Sequence, residues 1–255
     1  MQKGITEYAD ILIGIDDTDN ADSRGTGFHS RQLAHKLEGV AGAEVKGISR
    51  HQLFVNSAIR YTSQNSSACI LLKSDNHPLV KDVCEQYLKE HSAPGSDAGL
   101  CMAMPENIND IVIDWGKRAK CEVLEMKEAF AIARESFIFL QGYTGTHEGI
   151  IGALAAVGLR FGGQDGRFIW RKGKKELRDM QEGIFAVEDL MKELDLDGIR
   201  SLKGESPSVG EKIYINEWVR PILTNNETIL IAEKIDNHDE YEWKLATKEV
   251  VRANS

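Results

Sequence analysis

An uninterrupted apolar run lies near the start of the chain, at residues 11–15, and none of its five residues is polar. Runs of this length without polar alternation are typical of a strand that is buried on both faces of a sheet. Three carboxylates follow at once, in Asp16, Asp17 and Asp19. The pattern therefore predicts a strand that carries these acids to the end of a sheet, where ligands of open α/β sheets usually bind.

The apolar pattern after this strand predicts the element order β-α-β-β-α-β. Helical spacing occurs at residues 28–37 and 77–88, whereas strand-like runs lie at 43–55, 67–72 and 100–104. This order is the split βαβ arrangement of a ferredoxin-like unit, which would close near residue 104.

Later segments are predicted from the same periodicities. A short helix around 108–115 should lead into a strand at 121–124, a helix at 127–135 and a strand at 137–140. A glycine-rich turn at 142–149 then precedes an almost wholly apolar helix that begins at Ile150 and must be buried. The remainder predicts a helix at 182–194 and strands at 213–215, 228–235 and 241–245.

These elements predict an α+β fold of mixed α/β character with two domains, both of split βαβ or ferredoxin-like character. We place the first domain at residues 1–125, with the nucleotide and metal site, and the second at residues 126–255. The length of 255 residues and the hydrophobic content of 42% are sufficient for two such cores.

Composition narrows the classes of function. The formal net charge of −9 argues against binding nucleic acid or anionic membrane over the whole surface, so any RNA contact must be local. No apolar run approaches the length of a membrane helix and the first residues lack a signal-peptide core, which predicts a cytoplasmic protein. The four cysteines lie at least fifteen residues apart, so we expect free thiols and neither a zinc ribbon nor a disulfide framework.

The acidic cluster, which we define as Asp16, Asp17 and Asp19, has two explanations. Carboxylates this close repel one another, and a fold tolerates them best when Mg²⁺ shares them, commonly with a bound triphosphate. The alternative is an Asp-rich turn whose side chains bond to backbone amides. The glycines that follow at 25 and 27 favour a site for ATP and Mg²⁺, because they let backbone approach a phosphate at the start of a helix. The metal-binding and catalytic candidates are Asp16, Asp17 and Asp19, and the nucleotide-binding candidates beside them are Thr18, Gly25, Thr26 and Gly27.

Two further groups of polar residues have both a functional and a structural explanation. Arg50, Arg60 and Asn65, in and around a long loop, could contact phosphates or a base, or could belong to an ordinary hydrogen-bonded loop. His147 and Glu148 lie at the mouth of the apolar helix, where they could bind a base or act as acid and base, or could belong to a tight turn needed for packing.

The basic segment, which we define as residues 160–178, concentrates positive charge in an acidic chain. Basic groups beside aromatic rings can follow a phosphate backbone and stack on bases. The alternative is a hairpin edge on which lysine and arginine prevent aggregation. Its basic residues are Arg160, Arg167, Arg171, Lys172, Lys174, Lys175 and Arg178, interleaved with Phe161, Phe168 and Trp170. If the segment binds RNA, we expect the contacts to be made by Arg167, Arg171, Lys172, Lys174 and Lys175.

Residues 13–19, Ile-Gly-Ile-Asp-Asp-Thr-Asp, together with the glycine turn and helix after them, resemble a known family. The match is to the N-terminal kinase-like domain of the archaeal agmatinylcytidine synthetases, which use ATP and agmatine to modify the anticodon cytidine of an isoleucine tRNA. Three later stretches resemble the family in the same order: 62–68, 95–99 and 148–156. The resemblance implies an ATP- and Mg²⁺-handling domain joined to a ferredoxin-like domain.

The chain also departs from this family. The synthetases carry Met-Cys-Thr-Thr after the glycine, with a threonine that becomes phosphorylated, whereas here Thr26 and Ser30 are the nearby hydroxyls. The family's OB-fold and zinc ribbon have no counterpart in this sequence, so we expect a stand-alone relative of the two N-terminal domains. The resulting hypothesis is an ATP- and Mg²⁺-dependent transferase, ligase-like or nucleotide-hydrolysing enzyme acting on RNA or a small molecule. The alternative is a non-catalytic module that binds a nucleotide or nucleic acid.

Overall fold

The computed structural model describes residues 9–39, 43–62, 64–171, 175–236 and 240–255. The chain divides into two compact units, Met1–Gly162 and Gly163–Ser255. The domain boundary predicted at residues 125 and 126 falls inside the first of these units.

The first unit begins with the predicted β-α-β-β-α-β order and continues with three helices and a strand. Helix α1 begins directly after Gly25, and Asn76 caps α2 by accepting the N–H of Leu79. Its elements are β1 (Ile11–Asp16), α1 (Thr26–Glu38), β2 (Glu44–Gln52), β3 (Ser66–Lys73), α2 (His77–His91), β4 (Gly99–Ala103), a 3-10 turn (Pro105–Asn107), α3 (Asp110–Arg118), α4 (Met126–Glu135), β5 (Phe139–Gly142) and α5 (Ile150–Gly162).

The strands of the first unit form an antiparallel sheet in the order β5-β4-β1-β3-β2. The order β4-β1-β3-β2 is that of a ferredoxin-like fold, as predicted. Alternate residues of β1 face opposite sides of the sheet. Leu12 joins a core with α3, α4 and α5, whereas Ile11, Ile13 and Ile15 are buried on the face opposite to it. Both faces of β1 are therefore covered, which explains its continuous apolar sequence.

Helix α5 packs closely against this sheet because glycines remove side chains at the contacts. A Cβ on Gly14 would lie 2.0 Å from the carbonyl oxygen of Ala153, and one on Gly149 would lie 2.5 Å from that of Asp97. The glycine-rich turn before α5 is thereby brought to the ends of β1 and β4. This packing places backbone from three distant segments around the acidic cluster.

The second unit is built mainly of short strands. Their order is β6-β11-β12-β13-β10-β8, with β7 beside β6 and β9 parallel to β12. The turn between β11 and β12 uses Asn225 and Asn226, both at positive φ, which asparagine tolerates in tight hairpins. Its elements are β6 (Arg167–Arg171), β7 (Lys175–Glu176), β8 (Gly183–Ala186), α6 (Val187–Leu194), β9 (Gly198–Arg200), β10 (Lys212–Ile215), β11 (Ile222–Thr224), β12 (Glu227–Lys234), β13 (Trp243–Leu245) and α7 (Lys248–Ala253), with a 3-10 turn at Leu177–Asp179.

The predicted mixed α+β class is confirmed, and two predicted elements are wrong. Residues 121–124 form a turn and extended chain instead of a strand, since Cys121 and Val123 are exposed and their backbone joins no ladder. The helix predicted from residue 182 begins only at Val187, because β8 pairs with β10.

The cysteines are free thiols, as predicted, and three of them are buried.

Candidate functional site

The acidic cluster lies where β1 ends. Asp16 is the last residue of this strand, and its side chain turns beneath α5: a Cβ on Gly152 would lie 1.8 Å from Asp16 Oδ2. Asp16 is consequently only 9% exposed. Gly152 thus provides the space that a buried acid at this position needs.

Both Asp16 and Asp17 hold their protons more tightly than ordinary carboxyls. Burial, followed by repulsion from Asp17, raises the pKa of Asp16 to about 8. Burial, followed by repulsion from Asp97, raises the pKa of Asp17 to about 6, and the Asp17 backbone sits in the left-handed region at φ 50°. Ionisation of these two acids is therefore unfavourable in the protein by itself, and a bound cation would favour it.

Asp19 plays a different part from the other two acids. Its Oδ1 accepts hydrogen bonds from the backbone N–H and the hydroxyl of Thr26, both at 3.1 Å. The buried hydroxyl of Thr18 lies 3.3 Å from that of Thr26. Asp19 and Thr18 therefore hold the first turn of α1 in place, close to the end of β1.

Asp97 belongs to this site although it was not among the predicted site residues. It is 2% exposed, and it acts on the Asp17 carboxyl as the largest charge–charge effect. Its Oδ1 accepts the N–H and the hydroxyl of Thr146, the latter at 3.0 Å. The signal that could have found it is the stretch 95–99, which resembles a family turn and contains one acid.

The three polar residues of the long loop region divide into different roles. Arg60 Nη1 lies 3.5 Å from Asp97 Oδ2, and the charge of Arg60 lowers the pKa of Asp17. Arg50 donates to the Ser66 hydroxyl at 2.6 and 2.8 Å, and its charge acts on Asp16. Asn65 donates to the carbonyl of Phe54, so the structure shows it as part of the loop's own hydrogen bonding.

The glycine-rich turn brings Glu148 into the electrostatic field of Asp17, whose pKa it raises. His147 packs over Gly142, where a Cβ would lie 2.2 Å from that of His147. Hence Glu148 joins the acidic end of the sheet, whereas His147 helps to shape the turn.

Among the described residues, no group of three or more His, Cys, Asp or Glu side chains is arranged to hold a metal ion. Mg²⁺ is commonly bound through one or two carboxylates, with phosphate oxygens and water completing its shell. The oxygen donors at the end of β1 are compatible with that mode of binding.

A cavity of about 600 Å³ opens at the other end of β1, away from the acidic cluster. Neither the predicted acids nor the glycine turns contribute to it. Its lining residues are Ala9, Asp10, Ser74, Asp75, His77, Pro78, Met104, Pro105 and Glu106.

In the second unit, the basic segment includes β6 and β7, which pair as an antiparallel hairpin. Arg171 donates to the carbonyls of Leu194 and Asp195 at the end of α6, and Arg167 donates to the Ser255 hydroxyl. Both arginines are buried, as are Phe168 and Trp170. The interpretation of these aromatics as base-stacking groups is wrong, because their rings lie inside the core. Lys172 and Lys174 lie outside the described residues, and so does the side chain of Lys175.

Comparison with known proteins yields no match to the sequence and clear matches to the fold. No family model and no curated protein matches the chain. The structure of TiaS in complex with an isoleucine tRNA and ATP matches at a TM-score of 0.52 and 24% identity, over 59% of this chain and 36% of that one. Apo TiaS, described as an agmatidine synthetase of that tRNA, matches at 0.52 and 21%, over 78% and 49%. A complex of TiaS with the same tRNA, AMPCPP and agmatine matches at 0.52 and 17%, over 97% and 56%.

These matches confirm, at the level of the fold, the resemblance drawn from residues 13–19. This chain shares a fold with the agmatidine synthetases and spans about a third to just over half of the length of the matched structures. Within the described part of the chain, every helix is too short or too polar to cross a membrane.

Proposed function

We propose that the first unit binds ATP with Mg²⁺ at the acidic cluster and catalyses phosphoryl transfer or nucleotide hydrolysis. The observation that carries the proposal is the pair of neighbouring acids at the end of β1, the buried Asp16 and the half-buried Asp17. Burial and repulsion from nearby carboxylates raise the pKa of both acids, and a bound cation would favour their ionised forms. The fold supports it as well, since one structure with this fold contains ATP and another contains the ATP analogue AMPCPP.

Mg²⁺ fits the chemistry of these donors. The available ligands are carboxylate oxygens, which hard divalent cations prefer, and their mutual repulsion would be relieved by a shared cation. Asp17 is half-buried and more accessible than the buried Asp16, so Asp17 is assigned as a direct ligand with Asp16 behind it. When bound, Mg²⁺ supplies charge neutralisation of the phosphates.

The protein's own residues would position the nucleotide. Helix α1 has 13 residues and begins after Gly25. The N–H of Thr26 donates to Asp19 and that of Phe28 to the Gly25 carbonyl, so the Gly27 N–H is the donor assigned to a phosphate in this turn. Gly25 and Gly27 leave the backbone accessible, and Thr26 is held by Asp19. Arg60 is exposed beside Asp97 and is assigned as a phosphate contact.

The acceptor is proposed to be an RNA or a small molecule. RNA is supported by the fold, since two of the matched TiaS structures contain an isoleucine tRNA. Because Arg167 and Arg171 are buried, the proposed RNA contact in the basic segment rests on Lys172, Lys174 and Lys175.

A non-catalytic nucleotide-binding module is the second candidate, and the hydroxyls near the cluster favour it. Thr26 is buried and bonded to Asp19, and the Ser30 hydroxyl is buried and donates to the Gly27 carbonyl. In this conformation neither hydroxyl is presented to a bound nucleotide. A catalytic role therefore requires water or another molecule as the acceptor, or movement of α1.

The test combines binding with turnover. Calorimetric titration with ATP should show binding in the presence of Mg²⁺ that is lost in EDTA, and slow phosphate release should accompany it. Binding without any phosphate release, with or without tRNA, would favour the non-catalytic candidate. Absence of ATP binding under both conditions would reject the nucleotide site.

RNA binding needs a separate assay. Retention of tRNA on filters at low salt should weaken when Lys172, Lys174 and Lys175 are changed together to glutamine, and the dependence on salt should become shallower. Lack of any retention by the unchanged protein would remove RNA from the proposal.

A further inference from the structure

The two carboxylate oxygens of Asp97 hold two different segments of the first unit. Oδ1 accepts from the backbone N–H and the hydroxyl of Thr146, in the turn before α5. Oδ2 lies 3.5 Å from Arg60 Nη1, in the loop between β2 and β3. These partners are separated from Asp97 by 49 and 37 residues of sequence. A single buried acid thus links segments that the chain itself does not connect.

The turn before α5 packs tightly around Asp97 Oδ1 and restricts the orientation of the carboxylate. The N–H of Gly149 donates to the Asp97 carbonyl at 2.9 Å. Gly145 adopts a φ of 53°, and a Cβ there would lie 1.9 Å from Asp97 Oδ1. Because backbone surrounds this oxygen closely, the carboxylate cannot rotate freely. The orientation of Oδ2 is therefore set by the turn.

Asp97 Oδ2 faces an exposed cation, the guanidinium of Arg60. The Arg60 side chain is 68% exposed, and its second terminal nitrogen donates to the Gly95 carbonyl at 3.3 Å. A guanidinium has five N–H donors in a planar fork, so these two contacts leave further donors for an anion. A Cβ on Gly149 would lie 2.5 Å from the Asp97 carbonyl oxygen and 2.9 Å from that of Asp16, so Asp97 lies beside the end of β1. The Thr62 hydroxyl, two residues after Arg60, donates to the Asp19 carbonyl at 3.4 Å, which brings the loop of Arg60 to the same place. The exposed face of Arg60 is consequently beside the acidic cluster.

We propose that Asp97 is a positioning residue that holds Arg60 at the edge of the nucleotide site, where Arg60 contacts the phosphates beyond the first. This inference rests on the proposed function and deepens it, because it assigns a residue that determines preference for polyphosphates. Asp97 acts through Arg60 and does not touch the nucleotide.

The contact between Asp97 and Arg60 contributes little to stability. An ion pair with one largely exposed partner is screened by solvent and stabilises a protein weakly. Its effect on ligand binding can therefore be measured without unfolding the protein. Asp97→Asn is a suitable change, since the amide oxygen can still accept from Thr146 while the charge facing Arg60 is lost.

The experiment is a double-mutant cycle with Arg60→Ala, Asp97→Asn and the combined variant, titrated with ATP, ADP and AMP in the presence of Mg²⁺. Arg60→Ala should weaken ATP and ADP about tenfold and leave AMP within about twofold. Asp97→Asn should weaken ATP about fivefold, and the combined variant should bind ATP no more weakly than Arg60→Ala alone. Arg134→Ala, which removes an exposed arginine on α4, is the matched control and should change nothing.

Three results would overturn the inference. Additive losses in the combined variant would show that Asp97 acts independently of Arg60, and equal losses for AMP would show that Arg60 does not contact the outer phosphates. If Asp97→Asn fails to fold, as judged by its melting curve, the ATP, ADP and AMP series of Arg60→Ala decides alone. Absence of Mg²⁺-dependent ATP binding in the unchanged protein rejects the proposed function together with this inference, whereas additive losses reject only the inference.

Discussion

The acidic cluster of the first unit and the basic segment of the second both concentrate one sign of charge, but they differ in how far neighbouring groups compensate that charge. In the basic segment, Arg171 is compensated by the carbonyls at the end of α6 and by the Asp195 carboxylate at 3.6 Å. In the acidic cluster, desolvation raises the pKa of Asp16 and Asp17, and repulsion from a neighbouring carboxylate raises each pKa further. Charge density in a sequence therefore does not identify a binding site. Lack of compensation in the fold is the more informative property.

The difference has a geometric origin. Arg171 is long enough to reach the C-terminal end of α6, where carbonyl groups lack helical partners and the helix dipole favours a cation. Its guanidinium also lies 4.5 Å from the Phe168 ring centroid. Asp16 and Asp17 are short and fixed to the end of β1, so they cannot reach distant partners. Four variants test this comparison, from the largest expected effect to the smallest.

Replacement of Arg171 by alanine should have the largest effect, on stability. The variant leaves the carbonyls of Leu194 and Asp195 without their donor and opens a buried space, so we expect a loss of roughly 3 kcal/mol in the free energy of unfolding. Urea denaturation followed by tryptophan fluorescence measures it. Unchanged stability would mean that this buried arginine is available for other roles, RNA binding included.

Replacement of Asp16 by asparagine should stabilise the ligand-free protein at high pH. In the unfolded chain this carboxyl loses its proton near pH 4, whereas in the folded protein its pKa is about 8. Stability contributed by the neutral acid is therefore lost as the pH rises from about 4 through 8. We expect the variant to exceed the unchanged protein by roughly 2 kcal/mol at about pH 8.5 and to match it near pH 4. Melting curves that differ equally at both pH values would contradict the effect.

Replacement of Asp17 by asparagine should weaken the binding of Mg·ATP at least tenfold, about 1.4 kcal/mol. The change removes a proposed cation ligand but no apolar contact, so the melting temperature should change little. Calorimetry with ATP and Mg²⁺ is the measurement. Unchanged affinity would exclude Asp17 as a ligand and would make the acidic cluster a strained turn.

Replacement of Arg118 by alanine should have the smallest effect. Arg118 pairs with Glu122 at 2.9 Å and with Glu128, but all three side chains are partly exposed. We expect a loss below about 1 kcal/mol, because solvent screens exposed ion pairs. The comparison with Arg171→Ala separates burial from ion pairing as the source of stability. Similar losses for the two variants would show that pairing itself matters.

Much of the first unit could be predicted from the sequence. The strand at 11–16 and the helices at 26–38 and 77–91 follow from apolar periodicity, which reflects local geometry. The prediction of a strand at 121–124 was wrong, because two adjacent apolar residues do not determine whether a neighbouring strand is present to pair with them. The helix predicted at 182–194 begins later than expected, because its first residues form β8 and pair with β10.

The candidate site could be predicted only in part. Residues 16–19 and 25–27 stand out because strand, acids and glycines are consecutive in the chain. Asp97 lies in the stretch 95–99 that resembles the family, but its contact with Thr146 could not be predicted because 49 residues of sequence separate the two. Asn65 was predicted to contact a phosphate or a base, and in the structure its amide donates to the Phe54 carbonyl.

The sequence by itself determined the order of strands and helices in the first unit and the delivery of three acids to one end of β1. These depend on periodicity and on neighbours in the chain. Only the tertiary structure decided that Asp16 lies under Gly152, that Asp97 faces Arg60 and that Arg171 is buried. The physical reason is that burial and charge compensation depend on which distant segments pack together, and local sequence does not encode that proximity.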